Sequence, residues 1–293
     1  MFLCLTSGLV STTLPNLASA RSLLFAPGSD ERKLVKAFEA GADAVVADLE
    51  DAVSLPEKPA ARKLAARLFG EISTPSLRMI RINGVGTEFW EDDVAAVEHL
   101  ELDAIVLPKA TPEAVEALGS AGPPLIAIVE TAQGLRLAHE TASSPRVAAL
   151  ILGAVDLGLE LGLEPRADGQ EVLFARSKLV LDSAAAKIRG PFDLVHVDVR
   201  DAEGLEAGCR LARSLGFRGK ACIHPAQIKV VNAVFAPSEE ELARARRVVE
   251  AYERGIAEGR GAVALDGEMI DLPVVERARQ LLADAKRSVF YAS

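Results

Sequence analysis

The chain has 293 residues and a net charge of −9, with 49% hydrophobic and only 4% aromatic residues. This composition excludes a disordered or fibrous protein. The negative net charge argues against a nucleic-acid partner, because such partners require clustered Lys and Arg. An aliphatic, aromatic-poor core is typical of layered α/β proteins, whose buried parallel strands are continuous runs of Val, Ile and Leu.

The first 20 residues contain no Lys or Arg and end in the small residues Ala18, Ser19 and Ala20. A secretory signal normally has a positive n-region and an uninterrupted apolar segment, whereas Ser, Thr, Asn and Pro interrupt this one. We therefore predict a poorly ordered extension or a misplaced start codon over residues 1–20, with a cleaved signal as the alternative. The rest of the sequence has no run of about 18 apolar residues, so no membrane partner is expected.

The cysteines indicate the redox compartment. Cys4, Cys209 and Cys222 are odd in number and have no CxxC spacing. This pattern fits neither a disulfide framework nor a zinc site, and it predicts a cytoplasmic location.

Eight short apolar runs alternate with amphipathic stretches from Arg21 onward. The runs cover Ser22–Ala26, Ala44–Leu49, Leu77–Ile82, Ala104–Leu107, Leu125–Val129, Ala148–Leu152, Leu194–Val199 and Ala221–Ile223. The clearest helical stretches are Glu31–Ala40, Glu57–Phe69, Glu88–Leu100, Glu171–Ile188 and Ala202–Leu215. Alternating βα units predict right-handed crossovers and a parallel sheet. Eight units over residues 21–236 favour an α/β fold of the (β/α)8 TIM barrel type. An open doubly wound sheet is the alternative, but no G-x-G-x-x-G follows the first run.

Residues 237–293 lie outside the eight-fold pattern and are predicted to form a C-terminal helical extension. A charged helix runs from about Glu239 to Arg260. A glycine-rich bend and the segment Asp266–Pro273 lead to a last amphipathic helix that ends near Ser288. We expect this extension to act as a lid or as a subunit contact.

Polar side chains follow most of the predicted strands, at the end of the barrel where active sites of this fold lie. The strand ends are Asp48–Asp51, Arg81–Asn83, Pro108–Lys109, Glu130–Thr131, Gly153–Asp156 and His224–Pro225. A purely structural core does not require acids and bases at the same end of so many strands. The sequence therefore predicts an active site at this mouth.

Glu130 and Asp156 are the best candidates for metal ligands. They end consecutive strands, which lie about 4.8 Å apart in a sheet, so their carboxylates can converge. Two hard oxygen ligands with space for water and substrate oxygens suit Mg²⁺. The alternative is that each acid only caps the helix that follows it.

Arg81 is the natural receiver of an anion, because its guanidinium can hold a carboxylate with two hydrogen bonds. The alternative is a salt bridge to Glu50 or Asp51, which is compatible with substrate binding. The backbone of Gly153, Ala154 and Val155 could donate N–H groups to the same anion.

The ordered motifs resemble those of a known family. They are Arg21–Gly28, Gly41–Ala52 with Glu57 and Lys58, Arg81–Asn83, Leu107–Lys109, Ile128–Thr131, Gly153–Asp156, Phe174–Arg176, Ile223–Pro225 and Met269–Pro273. The sequence resembles the citrate lyase β-subunit branch of the HpcH/HpaI aldolase superfamily, from residue 21 to about 285. The family also contains malyl-CoA and citramalyl-CoA lyases.

The resemblance implies roles for matching positions at the predicted mouth. Glu130 and Asp156 would bind Mg²⁺, with Mn²⁺ as a possible replacement. Arg81 would hold the carboxylate of an oxo acid, and Glu50 and Asp51 would support the water shell of the metal.

The resemblance also implies roles outside that group. Asp271 occupies the Met-Ile-Asp-x-Pro position, from which the thioester lyases of the family supply an acid/base to an adjacent subunit. That role implies a homo-oligomer, such as a trimer or hexamer. Arg21 and Lys58 also match the family and are expected to help bind substrate.

The predicted function is therefore a Mg²⁺-dependent carbon–carbon lyase. It would cleave a 3-hydroxyacyl thioester, such as citryl-CoA or citryl-ACP, citramalyl-CoA or malyl-CoA, into an acetyl thioester and a 2-oxo acid. One alternative is a free 2-oxo-acid aldolase, in which Asp271 would have no task. The others are a synthase or hydrolase of malyl-CoA-like compounds and an acyl-carrier-dependent subunit of a citrate lyase complex. The oxo acid, the acyl carrier and the direction of reaction stay open.

Overall fold

The computed structural model describes residues 15–290, with side chains from 17 to 285. The chain divides into two units, which meet in sequence between Ala233 and Val234. Within the described part of the chain, no helix has the length and apolar character needed to cross a membrane.

The first unit is a closed barrel of eight parallel strands, which confirms the predicted (β/α)8 architecture. The strands pair in sequence order and the first pairs with the last. They are β1 (Ser22–Pro27), β2 (Ala44–Asp48), β3 (Leu77–Arg81), β4 (Ala104–Leu107), β5 (Leu125–Val129), β6 (Val147–Leu152), β7 (Phe192–Asp193) and β8 (Gly219–Cys222). Their residues are almost all buried, because helices cover the outside of the barrel and side chains fill its interior.

The helices follow the strands as predicted, with ends that differ by a few residues. They are α1 (Pro15–Ser19), α2 (Glu31–Glu39), α3 (Lys58–Glu71), α4 (Trp90–Val97), α5 (Pro112–Ala117), α6 (Ala132–Arg136), α7 (Ala138–Ala142), α8 (Ala154–Leu161), α9 (Leu173–Ala185), α10 (Ala202–Leu215) and α11 (Ile228–Phe235). Side chains cap several N-termini and thereby set where the helices begin; Asp30, Thr131 and Asp201 each accept a backbone N–H of the first turn.

The seventh strand is the element that the sequence misplaced. The apolar run Leu194–Val199 was predicted as a strand, but β7 has only two residues and ends at Asp193. Val197 and Val199 of that run are 68% and 43% exposed. Alternating hydrophobicity identified a segment of the right composition, but pairing with β6 and β8 occurs just before it, at Phe192.

The last residues of the extension that we predicted to be poorly ordered pack at the N-terminal end of the barrel. Helix α1 covers Pro15–Ser19, and Leu17 and Ala20 are each only 2% exposed within the barrel core. These apolar side chains pack with the first residues of the strands, such as Leu23 and Leu77. The predicted extension is therefore ordered at its C-terminal end, and residues 1–14 lie outside the described residues.

The second unit contains two helices and a hairpin. They are α12 (Glu239–Ala257), β9 (Val263–Leu265), β10 (Glu268–Ile270) and α13 (Leu272–Phe290). Ser238 and Glu241 form a reciprocal capping box at the start of α12. Asp266 and Gly267 both have positive φ, as a tight two-residue hairpin turn requires. The unit has its own small core, formed by Ala245, Val248, Tyr252, Ile270, Val275 and Ala278.

Candidate active site at the barrel mouth

A pocket of about 430 Å³ opens at the C-terminal ends of the strands. Arg81, Glu130 and Asp156 all line it, as do Asp48 and Asp51. The structure thus brings side chains from β2, β3, β5 and the start of α8 into one site, as parallel strands in a barrel predict.

Arg81 is held by a carboxylate that the sequence analysis did not select. Asp48 and Arg81 are directly paired in the β2–β3 register. The guanidinium donates from Nε to Asp48 Oδ1 at 2.7 Å and from Nη2 to Asp48 Oδ2 at 2.6 Å. Asp48 is only 2% exposed, and it also accepts the N–H groups of Glu50 and Ala52. This two-fold contact fixes the orientation of the guanidinium.

Glu50 and Asp51 also contact Arg81, which matches the salt bridges considered as an alternative. Arg81 Nη1 lies 3.0 Å from Glu50 Oε2 and 3.3 Å from Asp51 Oδ2. Glu50 is buried, whereas the side chain of Asp51 is 62% exposed. Burial raises the pKa of Glu50, and the positive charges of Arg81 and Lys109 partly offset that rise.

Lys58 is placed beneath these acids, and its position does not favour the predicted contact with substrate. The residue is 4% exposed. Its ammonium donates to the carbonyl oxygens of Leu49 and Glu50, both at 2.8 Å, and to Asn83 Oδ1 at 2.6 Å. An ammonium has three N–H donors, and all three are used on the protein. Lys58 therefore fixes the loop that carries Glu50 and Asp51.

Glu130 lies across the pocket from these acids, at the end of β5, and is the most strongly buried acid on that side. It is 5% exposed, and its Oε1 accepts the backbone N–H of Lys109 at 2.7 Å. Burial raises its pKa to about 7, which that hydrogen bond partly opposes. A Cβ on Gly153 would lie 2.4 Å from Glu130 Cβ and 2.7 Å from Glu130 Oε2, so only glycine leaves room for this carboxylate.

Gly153 therefore has a different role from the predicted one. Its N–H donates to the carbonyl of Val129 at 3.0 Å and is used in the sheet, because the β5–β6 pairing continues to this point. Ala154 and Val155 line the pocket at the first turn of α8, where backbone N–H groups favour an anion. The predicted anion contact of these two amides stays a prediction.

Asp156 and Lys109 complete the site. Asp156 lies in the first turn of α8, and its side chain is 40% exposed. The Lys109 ammonium is 2.8 Å from Glu50 Oε1, 3.7 Å from Asp156 Oδ2 and 3.9 Å from Glu130 Oε1. Burial disfavours the charged form of Lys109, but the hydrogen bond to Glu50 and the negative charges of Glu50, Glu130 and Asp51 together outweigh this and raise the pKa of the ammonium.

The donor set fits the predicted magnesium ion. Glu130 and Asp156 present hard carboxylate oxygens to one pocket, and Gly153 leaves space for the Glu130 carboxylate. Among the described residues no three His, Cys, Asp or Glu side chains form a ready-made metal cage. Mg²⁺ does not need one, since it usually keeps several waters and binds through one or two carboxylates together with substrate oxygens.

Arg21 does not lie at the mouth. It precedes β1, and its backbone N–H donates to Asp43 Oδ2 at 2.7 Å at the N-terminal end of the barrel. The six residues of β1 span roughly 17 Å, so Arg21 is at the far end of the barrel from the pocket. This place at the opposite end of the barrel gives the predicted contact of Arg21 with substrate no support within its own barrel, and the contact stays a prediction.

Asp271 lies in the second unit, between β10 and α13. Its carboxylate accepts the N–H of Val274 at 3.3 Å, so it caps the first turn of α13. The side chain is half-buried. Its predicted acid/base role stays a prediction.

Sequence reasoning missed Asp48 and Lys109 as members of the site. Asp48 was the last residue of a predicted strand, and its pairing with Arg81 depends on register, which no pattern in a single sequence supplies. Lys109 stood at a predicted strand end but has no carboxylate close to it in sequence. Both residues lie at the ends of predicted strands, and this was the only feature of the sequence that pointed to them. Position at a strand end did not by itself distinguish them from polar residues outside the site.

Two family models match the chain. That of the HpcH/HpaI aldolase/citrate lyase family matches residues 21–225, and that of the C–C bond lyases of the TIM-barrel fold matches residues 178–286. The chain belongs to the HpcH/HpaI aldolase/citrate lyase family. Together the two matches cover the barrel and most of the second unit, and they confirm the resemblance seen in the motifs.

Two relatives of this family member carry different names. The (3S)-malyl-CoA thioesterase of Cereibacter sphaeroides is 40% identical over 91% of this chain and 94% of the relative. The citrate lyase subunit β of Escherichia coli is 35% identical over 92% of this chain and 94% of the relative.

Solved structures of the family show the same fold. CitE of Mycobacterium tuberculosis, in complex with magnesium, acetoacetate and coenzyme A, is 37% identical with a TM-score of 0.79, over 92% of this chain and 99% of that chain. The citrate lyase β subunit of the same organism, in complex with oxaloacetate and magnesium, is 37% identical with a TM-score of 0.68, over 76% and 100%.

Proposed function

We propose that this protein is a Mg²⁺-dependent carbon–carbon lyase that cleaves a 3-hydroxyacyl thioester into an acetyl thioester and a 2-oxo acid. The observation that carries the proposal is the pocket that places Glu130 and Asp156 together with Arg81. A pair of oxygen ligands beside a fixed guanidinium suits a substrate with a hydroxyl and a carboxylate on neighbouring carbons. Relatives solved with magnesium, coenzyme A and oxo acids support this substrate class.

Each side of the pocket has its own task in the proposed reaction. Glu130 and Asp156 hold the metal, which when bound supplies Lewis-acid polarisation of the substrate oxygen. Arg81 orients the substrate carboxylate through Nη1, the nitrogen that contacts the exposed Asp51, because Nε and Nη2 are committed to Asp48. Loss of the hydroxyl proton to solvent then expels the thioester enolate as the carbon–carbon bond breaks, and this proton balances the one that the enolate carbon takes up.

Asp271 of a neighbouring subunit is proposed to donate a proton to the enolate carbon, which yields the acetyl thioester. The assignment rests on the family motif and implies a homo-oligomer, such as a trimer or hexamer. Exposed apolar side chains on α8 support a subunit contact, with Leu159 84% and Val155 59% exposed. Asp271→Asn should retain Mg²⁺ and oxo-acid binding but lose most turnover, and unchanged turnover would refute the role.

A second candidate function is hydrolysis of a malyl-CoA-like thioester. It is favoured by one observation, the 40% identity to the (3S)-malyl-CoA thioesterase of Cereibacter sphaeroides. The two reactions differ in their products: cleavage of malyl-CoA gives acetyl-CoA and glyoxylate, whereas hydrolysis gives malate and free CoA thiol.

The test is a product assay on citryl-CoA, citramalyl-CoA and malyl-CoA, with Mg²⁺ and with EDTA. Metal-dependent release of acetyl-CoA from one of them supports the lyase and identifies its oxo acid. Release of malate and free thiol without acetyl-CoA supports the thioesterase. Turnover of none of the CoA compounds, with cleavage of the acyl carrier protein form, supports the carrier-dependent subunit. The cytoplasmic location stays a prediction.

A further inference from the structure

Lys109 follows β4 and lies between the two sides of the barrel mouth. Its φ of +49° is left-handed, a conformation that few residues other than glycine adopt. Directly after it, the Ala110 N–H donates to the carbonyl of Ile128 in β5 at 3.0 Å, so the backbone again pairs with the neighbouring strand. An unfavourable backbone conformation of this kind persists only where surrounding contacts enforce it.

The contacts that enforce this conformation involve acids of the proposed metal site. The Lys109 N–H donates to Glu130 Oε1 at 2.7 Å, and the ammonium of the same residue returns to within 3.9 Å of that oxygen. The ammonium is anchored by Glu50 at 2.8 Å and is 3.7 Å from Asp156 Oδ2. One residue thus contacts three carboxylates through its main chain and its side chain.

The balance of charge at the mouth explains why a cation is needed there. Arg81 lies on the opposite side of the pocket, where its ion pairs are with Asp48, Glu50 and Asp51. Three carboxylates that converge in a partly buried site repel one another unless a cation lies among them. The Lys109 ammonium occupies that place.

We propose that the Lys109 ammonium is a built-in counter-ion of the metal site, which holds Glu50, Glu130 and Asp156 together without metal and moves aside when Mg²⁺ binds. The inference rests on the proposed magnesium site. An ammonium within 4 Å of both ligands repels a divalent ion, so the two cations exclude each other. The side chain is 47% exposed and flexible, so it can turn towards solvent.

Isothermal titration of Mg²⁺ into the substrate-free protein tests the exchange. Lys109→Met removes the competing charge and should tighten Mg²⁺ binding by up to about fivefold, the effect of losing one partly exposed ion pair. Lys109→Arg keeps the charge and should stay near the wild-type affinity. Lys33→Met, which breaks the distant pair Lys33–Asp30, is the matched control and should change nothing.

Failure of the inference can be told apart from failure of the proposed function. If the wild type binds Mg²⁺ and Glu130→Gln does not, the metal site stands; an unchanged or weaker affinity of Lys109→Met then overturns the counter-ion alone. If Glu130→Gln binds Mg²⁺ as the wild type does, the metal site itself is wrong and the inference falls with it.

A measurement on the wild type avoids any effect of substitution on folding. Amine acetylation followed by peptide mass spectrometry reports how freely each lysine reacts. Addition of Mg²⁺ should raise the labelling rate of Lys109 severalfold relative to Lys33, because its ion pairs are released. A rate that is unchanged or lowered by Mg²⁺ would show that the ammonium stays in place and would overturn the inference.

Discussion

The two sides of the barrel mouth both carry carboxylates but neutralise them differently. On the β2–β3 side, Asp48, Glu50 and Asp51 all contact the Arg81 guanidinium, at 2.6 to 3.3 Å. On the β5–β6 side, Glu130 and Asp156 have an ammonium only at 3.9 and 3.7 Å.

The difference distinguishes carboxylates that are already paired with a guanidinium from carboxylates that can still bind a metal ion. A buried carboxylate with two short hydrogen bonds to a guanidinium has little to gain from another cation. A buried carboxylate without such a partner has a raised pKa and gains from any cation that can reach it. Burial raises the pKa of Glu130 to about 7, whereas Arg81 and Lys109 partly offset the same effect at Glu50. The metal site is therefore expected on the β5–β6 side, although the β2–β3 side carries more acids.

Removal of Arg81 should have the largest effect on stability. Arg81→Met leaves Asp48, which is 2% exposed, without its partner, and should lower the free energy of unfolding by about 3–5 kcal/mol. Urea denaturation in EDTA measures it. Arg200→Met is the control, because that side chain is 92% exposed and its pair with Asp198 is long. A loss below about 1 kcal/mol for Arg81→Met would show that the β2–β3 side is not held by this pair.

The pH dependence of stability should identify Glu130. Its pKa rises from 4.5 to about 7 on folding, so the folded protein binds this proton more tightly than the unfolded chain. The free energy of unfolding in EDTA should therefore fall as pH rises from about 4.5 to about 7, by on the order of 3 kcal/mol, and stay lowered above pH 7. Glu130→Gln should reduce this slope, and the raised pKa of Glu50 leaves a remainder of the same sign. If the free energy of unfolding depended on pH equally in the wild type and in Glu130→Gln, Glu130 would not be a buried carboxylate with a raised pKa.

Gly153→Ala should lower both the stability of the protein and the affinity of the β5–β6 side for Mg²⁺. The new methyl group overlaps Glu130 and should cost about 1–3 kcal/mol of stability, while it also displaces the carboxylate and weakens Mg²⁺ binding. Gly208→Ala is the matched control, because it lies inside α10 with no atom within 4 Å of the added Cβ. That control should stabilise the protein by up to about 1 kcal/mol. Normal metal binding by Gly153→Ala would count against the packing requirement.

The smallest effect is expected at Asp51. Its side chain is 62% exposed and contacts Arg81 at 3.3 Å, so Asp51→Asn should change the free energy of unfolding by less than about 0.5 kcal/mol. Thermal or urea denaturation measures this change. A loss of 2 kcal/mol or more would mean that Arg81 depends on all three acids and not mainly on Asp48.

The fold was predictable because its signals are local. Seven of the eight predicted runs overlap the observed strands β1–β6 and β8, since continuous apolar stretches bounded by turns are visible in one sequence. The seventh failed because β7 is a two-residue strand, too short to have a periodicity. Helix α10 agrees with its predicted ends because Asp201 caps it and Gly216 ends it with a positive φ.

The site was predictable only in part. Position at strand ends was enough to select Glu130, Asp156 and Arg81, which line one pocket. Family motifs alone selected Arg21 and Lys58, and neither lines the pocket. A motif shows that a residue matches the family but not where its side chain points.

The sequence by itself determined the barrel, its order of strands and the set of polar residues at its mouth, because periodicity and strand ends are properties of adjacent residues. Tertiary structure decided how those polar groups pair. The Asp48–Arg81 contact depends on register between strands 33 residues apart, and the Lys109–Glu50 contact joins residues 59 positions apart. The fold of the barrel brings these residues together although they are far apart in sequence. Their pairing decides which carboxylates are neutralised and which remain to bind a metal.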